Sequence, residues 1–344
     1  MAIDENKTDL DREVSAPARP APGYPAQQGR EALAVPADPL AEQARVYLRA
    51  AKAPSTLRAY RSDWEHFRQW CGHRGEQALP AVPETVALYL VALAATHRPA
   101  TMTRRLTSIA KAHAIAGHPS PANMQHPVVA ETLQGIRRTL GVAQPAKTPL
   151  LTADLIKVLA HIGPGLAGTR DRALLLVGYT GALRRSELAA LTMDDLAWVQ
   201  EGAVLTLRRS KTDQVGQGRK VAIPRGGHTE TCPVTALRSW LGKAKITDGP
   251  LFRPVDRHGR ARKTGLHRDS VGDIVKRAVE RAGYEAAGFA GHSLRAGFAT
   301  QAARNGASAF DIMRQTGHRS IATVSRYVRD AQIFRDSPAS KLGL

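Results

Sequence analysis

The hydrophobic positions of residues 39–140 recur every three or four residues in separate runs. This period predicts helices near 40–51, 55–72, 83–97, 100–116 and 127–140. Pro or Gly punctuates most of the gaps. In the second run Leu57, Tyr60, Trp64, Phe67 and Trp70 form one apolar stripe, a face suited to packing against neighbouring helices. Ser55 stands where it can cap that helix, Pro83 precedes Glu84 at the start of the third, and Thr101 can cap the fourth. The fourth run also carries Arg104, Arg105, Ser108 and Lys111 beside Thr101. Those five residues read either as a donor face for the major groove of a duplex or as an ordinary solvated face.

The stretch 141–149, with Gly141, Pro145 and Pro149, reads as a linker. Beyond it the helical period returns over 152–161, 168–179 and 185–191 and then gives way to a period of two. Ala203, Leu205 and Leu207 alternate with Val204, Thr206 and Arg208 as a strand, and Lys220–Pro224 reads as its partner. Ser210–Arg219 between them holds two glycines and is expected to be a mobile hairpin loop. From 233 to 329 the pattern is mainly helical. The expected fold class is mainly α: an all-helical amino-terminal domain over 39–140, then an α+β domain over 150–330 with a small antiparallel sheet, then a tail over 331–344.

A chain of 344 residues, 43% hydrophobic, has material for two cores. Residues 1–38 do not contribute to either, being rich in Pro, Ala and Gly with seven acidic and four basic residues, and they are expected to be a disordered tail. The net charge of that tail is −3 against +19 for the whole chain, so residues 39–344 carry +22. Such a field favours a polyanionic partner, DNA or RNA, over a neutral metabolite. Cys71 and Cys232 are too isolated for a disulfide framework or a zinc site, which fits a reducing cytosol. No apolar run approaches the ~18 residues that span a bilayer. The start of the chain, with Asp4, Glu5, Asp9 and Asp11, lacks the basic-then-apolar order of an export signal. A cytoplasmic protein without a membrane partner is expected.

Four separated segments could serve a phosphodiester. Thr180-Gly-Ala-Leu-Arg184-Arg185-Ser186-Glu187-Leu188 is a turn entering a helix, where Arg184 and free backbone N–H groups can hold a phosphate. Lys211 in the hairpin loop is a flexible ammonium able to protonate a leaving oxygen. In Gly291-His292-Ser293-Leu294-Arg295 a spacing of three puts His292 and Arg295 on one helix face. Thr316-Gly317-His318-Arg319-Ser320 is followed by Tyr327.

In order and spacing these segments resemble the tyrosine recombinase, or phage integrase, family, from about residue 40 to 335. Within that family the chain looks most similar to the Cre type, by its five-helix amino-terminal unit, its Ser-Lys-Thr hairpin and its His-to-Tyr spacing. One departure is His318, where Cre carries tryptophan. The resemblance implies a SAM-like core-binding domain ahead of a catalytic domain. It also implies a catalytic set of Arg184, Lys211, His292, Arg295, His318 and Tyr327, with Glu187 in support. Tyr327 would cut DNA and hold it as a 3′-phosphotyrosine, with no metal, ATP or other cofactor. The implied partners are double-stranded DNA carrying inverted-repeat sites and three further copies of the chain, forming a homotetramer. The two basic domains would close as a clamp around the duplex, and Ile333, Phe334 and Leu342 would dock on an adjacent protomer or pack in cis. Two other readings stay open: a type IB topoisomerase, which uses a similar residue set, and a non-catalytic DNA-binding regulator.

Overall fold

Proline decides where the amino-terminal helices begin. The computed structural model describes residues 51–142, 147–208 and 218–332, together with Leu40, Gln43, Val46, Tyr47 and Leu342. The expected tail over 1–38, most of the expected first helix, the middle of the expected linker, the hairpin loop with Lys211, and Ile333 and Phe334 lie outside those residues. The chain divides into two compact units, residues 1–144 and 145–344. In the first unit α1 (Pro54–Arg74), α2 (Pro83–Ala94), α3 (Pro99–Ile115) and α4 (Pro127–Leu140) each start on a proline. Its ring presets the helical φ, and its missing N–H is one that a first turn cannot satisfy. This moves two expected caps. Ser55 and Thr101 lie inside α1 and α3, whose N-cap positions are Ala53 and Arg98, neither with a side-chain cap.

The four helices bury one core. Trp64, Phe67 and Cys71 of α1 meet Val86, Tyr89, Leu90 and Leu93 of α2, Met102, Leu106 and Ile109 of α3, and Val129 and Leu133 of α4. The aromatic stripe is therefore mainly a packing face, with Trp70 partly buried against the same core. Leu57, at the amino-terminal end of the stripe, stays 38% exposed.

In the second unit α5 (Thr152–Ala160), α6 (Gly165–Thr180) and α7 (Arg185–Ala190) precede an antiparallel sheet of β1 (Leu196–Val199), β2 (Gly202–Leu207) and β3 (Arg219–Pro224), in that order. Ala203, Leu205 and Leu207 point into the core, as do Val221 and Ile223 on the paired strand. Strand β1 was not expected: it has four residues, Trp198 and Val199 are exposed, and it offers no alternation to read. Helices α8 (Pro233–Lys243), α9 (Arg268–Arg281), α10 (Gly291–Arg304), α11 (Ala309–Thr316) and α12 (Ile321–Gln332) follow.

The stretch after 233 is mainly helical as expected, with one long irregular segment between α8 and α9. There Gly249, Pro250, Pro254, Gly259 and Gly265 break the chain into turns and two isolated bridges. That segment is still anchored, since Leu251 and Phe252 are fully buried and the Trp240 indole donates to the Leu251 carbonyl at 2.8 Å. Helix α6 runs through the core, with Leu174, Leu175, Leu176 and Val177 all buried. Among the described residues no helix is long and apolar enough to cross a membrane.

Helix α10, which carries two of the expected site residues, is seated on the backbone of Leu150 through Gly297. A Cβ at that glycine would lie 1.8 Å from the Leu150 carbonyl oxygen. Gly297→Ala should therefore cost about 1–3 kcal/mol by overpacking. Gly242→Ala, on the exposed side of α8 with nothing within 4 Å, should be neutral or gain up to about 1 kcal/mol. Thermal unfolding of the two variants checks this, and equal losses would show that contact with Leu150 is not the reason.

Candidate active site

The turn after α6 sets the first cation. Gly181 and Leu183 donate back to Val177 and Gly178 at 2.9 and 3.0 Å, closing the helix end. Between them Ala182 takes φ 47, a left-handed conformation uncommon for a residue with a Cβ. The carbonyl of Ala182 accepts from Arg295 Nη1 at 2.7 Å, so the unusual backbone holds an expected site residue. Arg184 then stands at the N-cap of α7, and Glu187 at the third helical position reaches back to it. One oxygen of that carboxylate accepts from the Arg184 backbone N–H at 2.9 Å, and the other accepts from Arg184 Nη1 at 2.6 Å. The Glu187 side chain is 1% exposed, and a second guanidinium, that of Arg219, stands 3.6 Å from it.

Arg295 is buried on α10 and 1% exposed. Its Nη2 is out of water with no hydrogen-bond partner among the described residues. Burial, and after it the neighbouring Arg184, lower its pKa to about 10. A buried guanidinium with a spare donor and other cations beside it is a receptor for an anion. His292, one turn away on the same helix, is exposed, and its Nε2 lies 3.1 Å from the Tyr327 hydroxyl.

Helix α11 ends at Thr316, and Gly317 follows at φ 66 in a left-handed cap that turns His318 inward. His318 Nδ1 is 2.8 Å from the Thr316 hydroxyl, which also lies 2.7 Å from the Ile312 carbonyl. That hydroxyl has one proton for two acceptors. When it turns to His318, the ring nitrogen Nε2 carries a hydrogen and can donate to a phosphate oxygen. Burial, followed by Arg295, Arg184, His292 and Arg219, pushes His318 down to about 4, so the ring is neutral at physiological pH.

Tyr327 is held on α12 by the small cluster of Ala299, Ala303, Ile312 and Val324, with its ring centroid 6.3 Å from that of His318. Burial raises its pKa, while Arg295 and Arg326 oppose the rise. The phenol is protonated at rest, and the neighbouring His292 nitrogen is placed to accept its proton.

The second unit thus brings together Arg184, Glu187, His292, Arg295, His318 and Tyr327. Lys211 lies outside the described residues. The five donors of α3 are not brought onto one open face. Arg105 and Ser108 are buried in the first unit: Arg105 Nη1 lies 2.6 Å from the Tyr89 hydroxyl and 2.7 Å from His66 Nδ1, and Ser108 donates to Asp63 at 3.1 Å. Arg104 is partly exposed but paired with Asp63 at 2.7 Å. Thr101 and Lys111 are half-buried. The reason is Asp63, buried on α1, which needs cationic and hydroxyl partners from the facing helix.

Sequence reasoning missed Arg219. An arginine at the end of an expected hairpin loop looks solvated, and its acidic partner belongs to a different element, so no local spacing marks the pair. Among the described residues no three His, Cys, Asp or Glu side chains gather as a metal site.

Residues 150–332 match the phage integrase family. The chain is 40% identical over 306 residues to an integrase/recombinase XerD homologue of Selenomonas ruminantium, an alignment that covers 88% of this chain and 89% of that protein. It is 25% identical over 324 residues to the Cre recombinase of Escherichia phage P1, covering 86% and 92%. Of the two, the XerD homologue is the more similar. The solved integrase of the Tn1549 transposon, in complex with transposon right end DNA, shares the fold with a TM-score of 0.59 at 16% identity, covering 90% of this chain and 99% of that chain.

The lowered pKa of His318 has a measurable sign. The unfolded chain binds this proton near 6.5 and the folded chain only near 4, so stability from this group is present above 6.5 and lost as pH falls toward 4. His318→Gln removes that dependence, so the stability gap between wild type and variant should move in the variant's favour from about pH 8 to about pH 5. Urea unfolding at both pH values reads it, and an unchanged gap would mean His318 titrates normally.

Proposed function

This chain belongs to the phage integrase family and is a tyrosine-type site-specific DNA recombinase, and on that premise we propose that Tyr327 breaks and rejoins the DNA strand. The observation that carries the assignment is the Tyr327 hydroxyl 3.1 Å from His292 Nε2, beside the spare donor of Arg295.

The reaction then divides among named groups. The Tyr327 oxygen attacks the scissile phosphorus as its proton passes to His292 Nε2. Arg184 and Arg295 hold the non-bridging oxygens with forked donors as negative charge builds on them, and His318 donates a further hydrogen bond. The bond from phosphorus to the 5′ oxygen breaks, and Lys211 supplies the proton which that oxygen needs. The 3′-phosphotyrosine keeps the energy of the broken diester. Attack by a 5′ hydroxyl from another strand reverses each transfer and reseals the DNA without ATP. Glu187 keeps Arg184 oriented through its double contact.

Double-stranded DNA is the substrate. Exchange between two duplexes requires one cut in each of four strands, and each chain offers one Tyr327. The working unit is therefore a homotetramer, two protomers on each duplex at inverted-repeat half-sites. Its DNA substrate assigns it to the cytoplasm, associated with the nucleoid. The burial of Arg105 and Ser108 and the pairing of Arg104 with Asp63 leave Thr101 and Lys111, both half-buried, as the part of the α3 set available to DNA.

Covalent capture tests the nucleophile. Wild-type protein mixed with a pool of nicked random-sequence duplexes should give a protein–DNA adduct on a denaturing gel, and Tyr327→Phe should bind the captured duplex equally well yet form none. Adduct in the variant would move the nucleophile elsewhere. Lys211→Ala should cut an ordinary strand slowly, because the 5′ oxygen then leaves unprotonated. With sulfur at that position the leaving thiolate needs no proton, and the defect should largely disappear. A variant equally slow on both substrates would take the acid role from Lys211.

A further inference from the structure

Arg219 is the first residue of β3 and belongs to none of the segments that mark the site, yet its side chain is built into the middle of it. Its Nη1 donates to the Gln315 carbonyl at 2.7 Å, and its Nη2 stands 3.6 Å from Glu187. The guanidinium lies against the Gly317 backbone so closely that a Cβ there would come within 2.7 Å of its Nε and 3.1 Å of its Cζ. Its Nε and Nη2 are buried without a hydrogen-bond partner among the described residues. The same turn is tied down a second time, because Gln315 Nε2 donates to the Thr180 carbonyl at the end of α6 and to the Ala222 carbonyl in β3, at 3.0 and 3.1 Å.

We propose that Arg219 is a positioning residue for strand cleavage: it wedges the Gln315–His318 turn against Glu187, and so fixes His318 relative to Arg184 across the phosphate site. The wedge works by fit. A planar guanidinium can lie flat against a glycine backbone, reach a carbonyl with one nitrogen and face a carboxylate with another, and an ammonium cannot do all three. Glycine at 317 is required twice over, by its φ of 66 and by the space the guanidinium occupies. Glu187 in turn is shared between Arg184, which touches the phosphate, and Arg219, which holds the turn. Strand β3 follows directly on the loop that carries Lys211, so the wedge joins the base of that loop to the His318 turn.

This inference rests on the site assigned above, and the experiment separates the two. The probe is the duplex recovered by covalent capture with the full-length wild-type chain. Adduct formation is measured at saturating protein, and affinity for the same duplex is measured on its own.

Arg219→Met should slow adduct formation at least about 10-fold, in line with the ~100-fold that a ~1 Å misplacement can cost, while affinity changes less than about twofold. Loss of a nearby cation should also raise the His318 pKa from about 4, read by NMR of the ring. A residue that only stabilised the fold would lower Tm and leave adduct formation at saturating protein unchanged. Arg219→Lys should keep the His318 pKa near its wild-type value and still cleave slowly.

Gly317→Ala should reproduce the slow step from the other side of the contact. Combined with Arg219→Met it should cost less than the product of the two separate defects, because the methyl group no longer meets a guanidinium. Should Arg219→Met fail to fold, Arg219→Lys and Gly317→Ala carry the same readings. Cleavage by the Arg219 variants within about twofold of wild type, or defects that simply multiply, overturn the inference. No adduct from wild type, or adduct from Tyr327→Phe, instead overturns the site on which it rests.

Discussion

Cations crowd together in the second unit and share a single buried carboxylate. Arg184, Arg219 and Arg295 repel one another out of water, and Glu187 faces two of them, leaving one donor of Arg295 unmatched. The structure tolerates the imbalance because backbone carbonyls take up part of the load: Ala182 accepts from Arg295 and Gln315 accepts from Arg219. What remains is a fixed deficit of negative charge in a water-poor place. At the proposed site a phosphodiester would meet donors that need no reorganisation, which is the condition under which electrostatic stabilisation of a transition state is largest. Burial, reinforced by the same field, holds His318 neutral and makes Arg295 more acidic than an ordinary guanidinium.

The first unit handles its charges in the opposite way. Asp63 sits in the core and gathers Arg104, Arg105 and Ser108, while Arg105 also reaches Tyr89, His66 and His97. Burial lowers both histidines, as does the adjacent Arg105. Here cation and anion are matched and little is left over for a ligand. The polar groups specify how α3 seats on α1 instead of offering themselves outward.

What the sequence made legible was whatever lies within one helical turn. His292 and Arg295 are three apart, Glu187 is three beyond Arg184, and Gly317 precedes His318, so each pair could be placed without knowing the fold. The alternation of β2 and β3 was likewise visible because one face of each is buried. Hidden were the features made by distant partners. Arg105 read either as a groove donor or as part of a solvated face until Asp63 and Tyr89 supplied a buried environment for it, and Arg219 read as the end of a hairpin loop until Glu187 and Gly317 enclosed it. Strand β1 was too short to show a period, and the turns between α8 and α9 hold their core contacts through Leu251 and Phe252 without any repeat.

The Thr316 hydroxyl has a consequence of its own. Thr316 is fully buried, and its one hydrogen chooses between the near acceptors Ile312 and His318, with the Met313 carbonyl farther off at 3.5 Å. Each choice fixes which ring nitrogen of His318 bears a hydrogen. Loss of a proton from Nδ1 and gain of one at Nε2, together with rotation of that O–H bond, would convert the imidazole edge proposed to face the phosphate from lone pair to donor. The tautomer of His318 is thus tied to the position of one hydroxyl hydrogen, which the heavy atoms alone do not reveal.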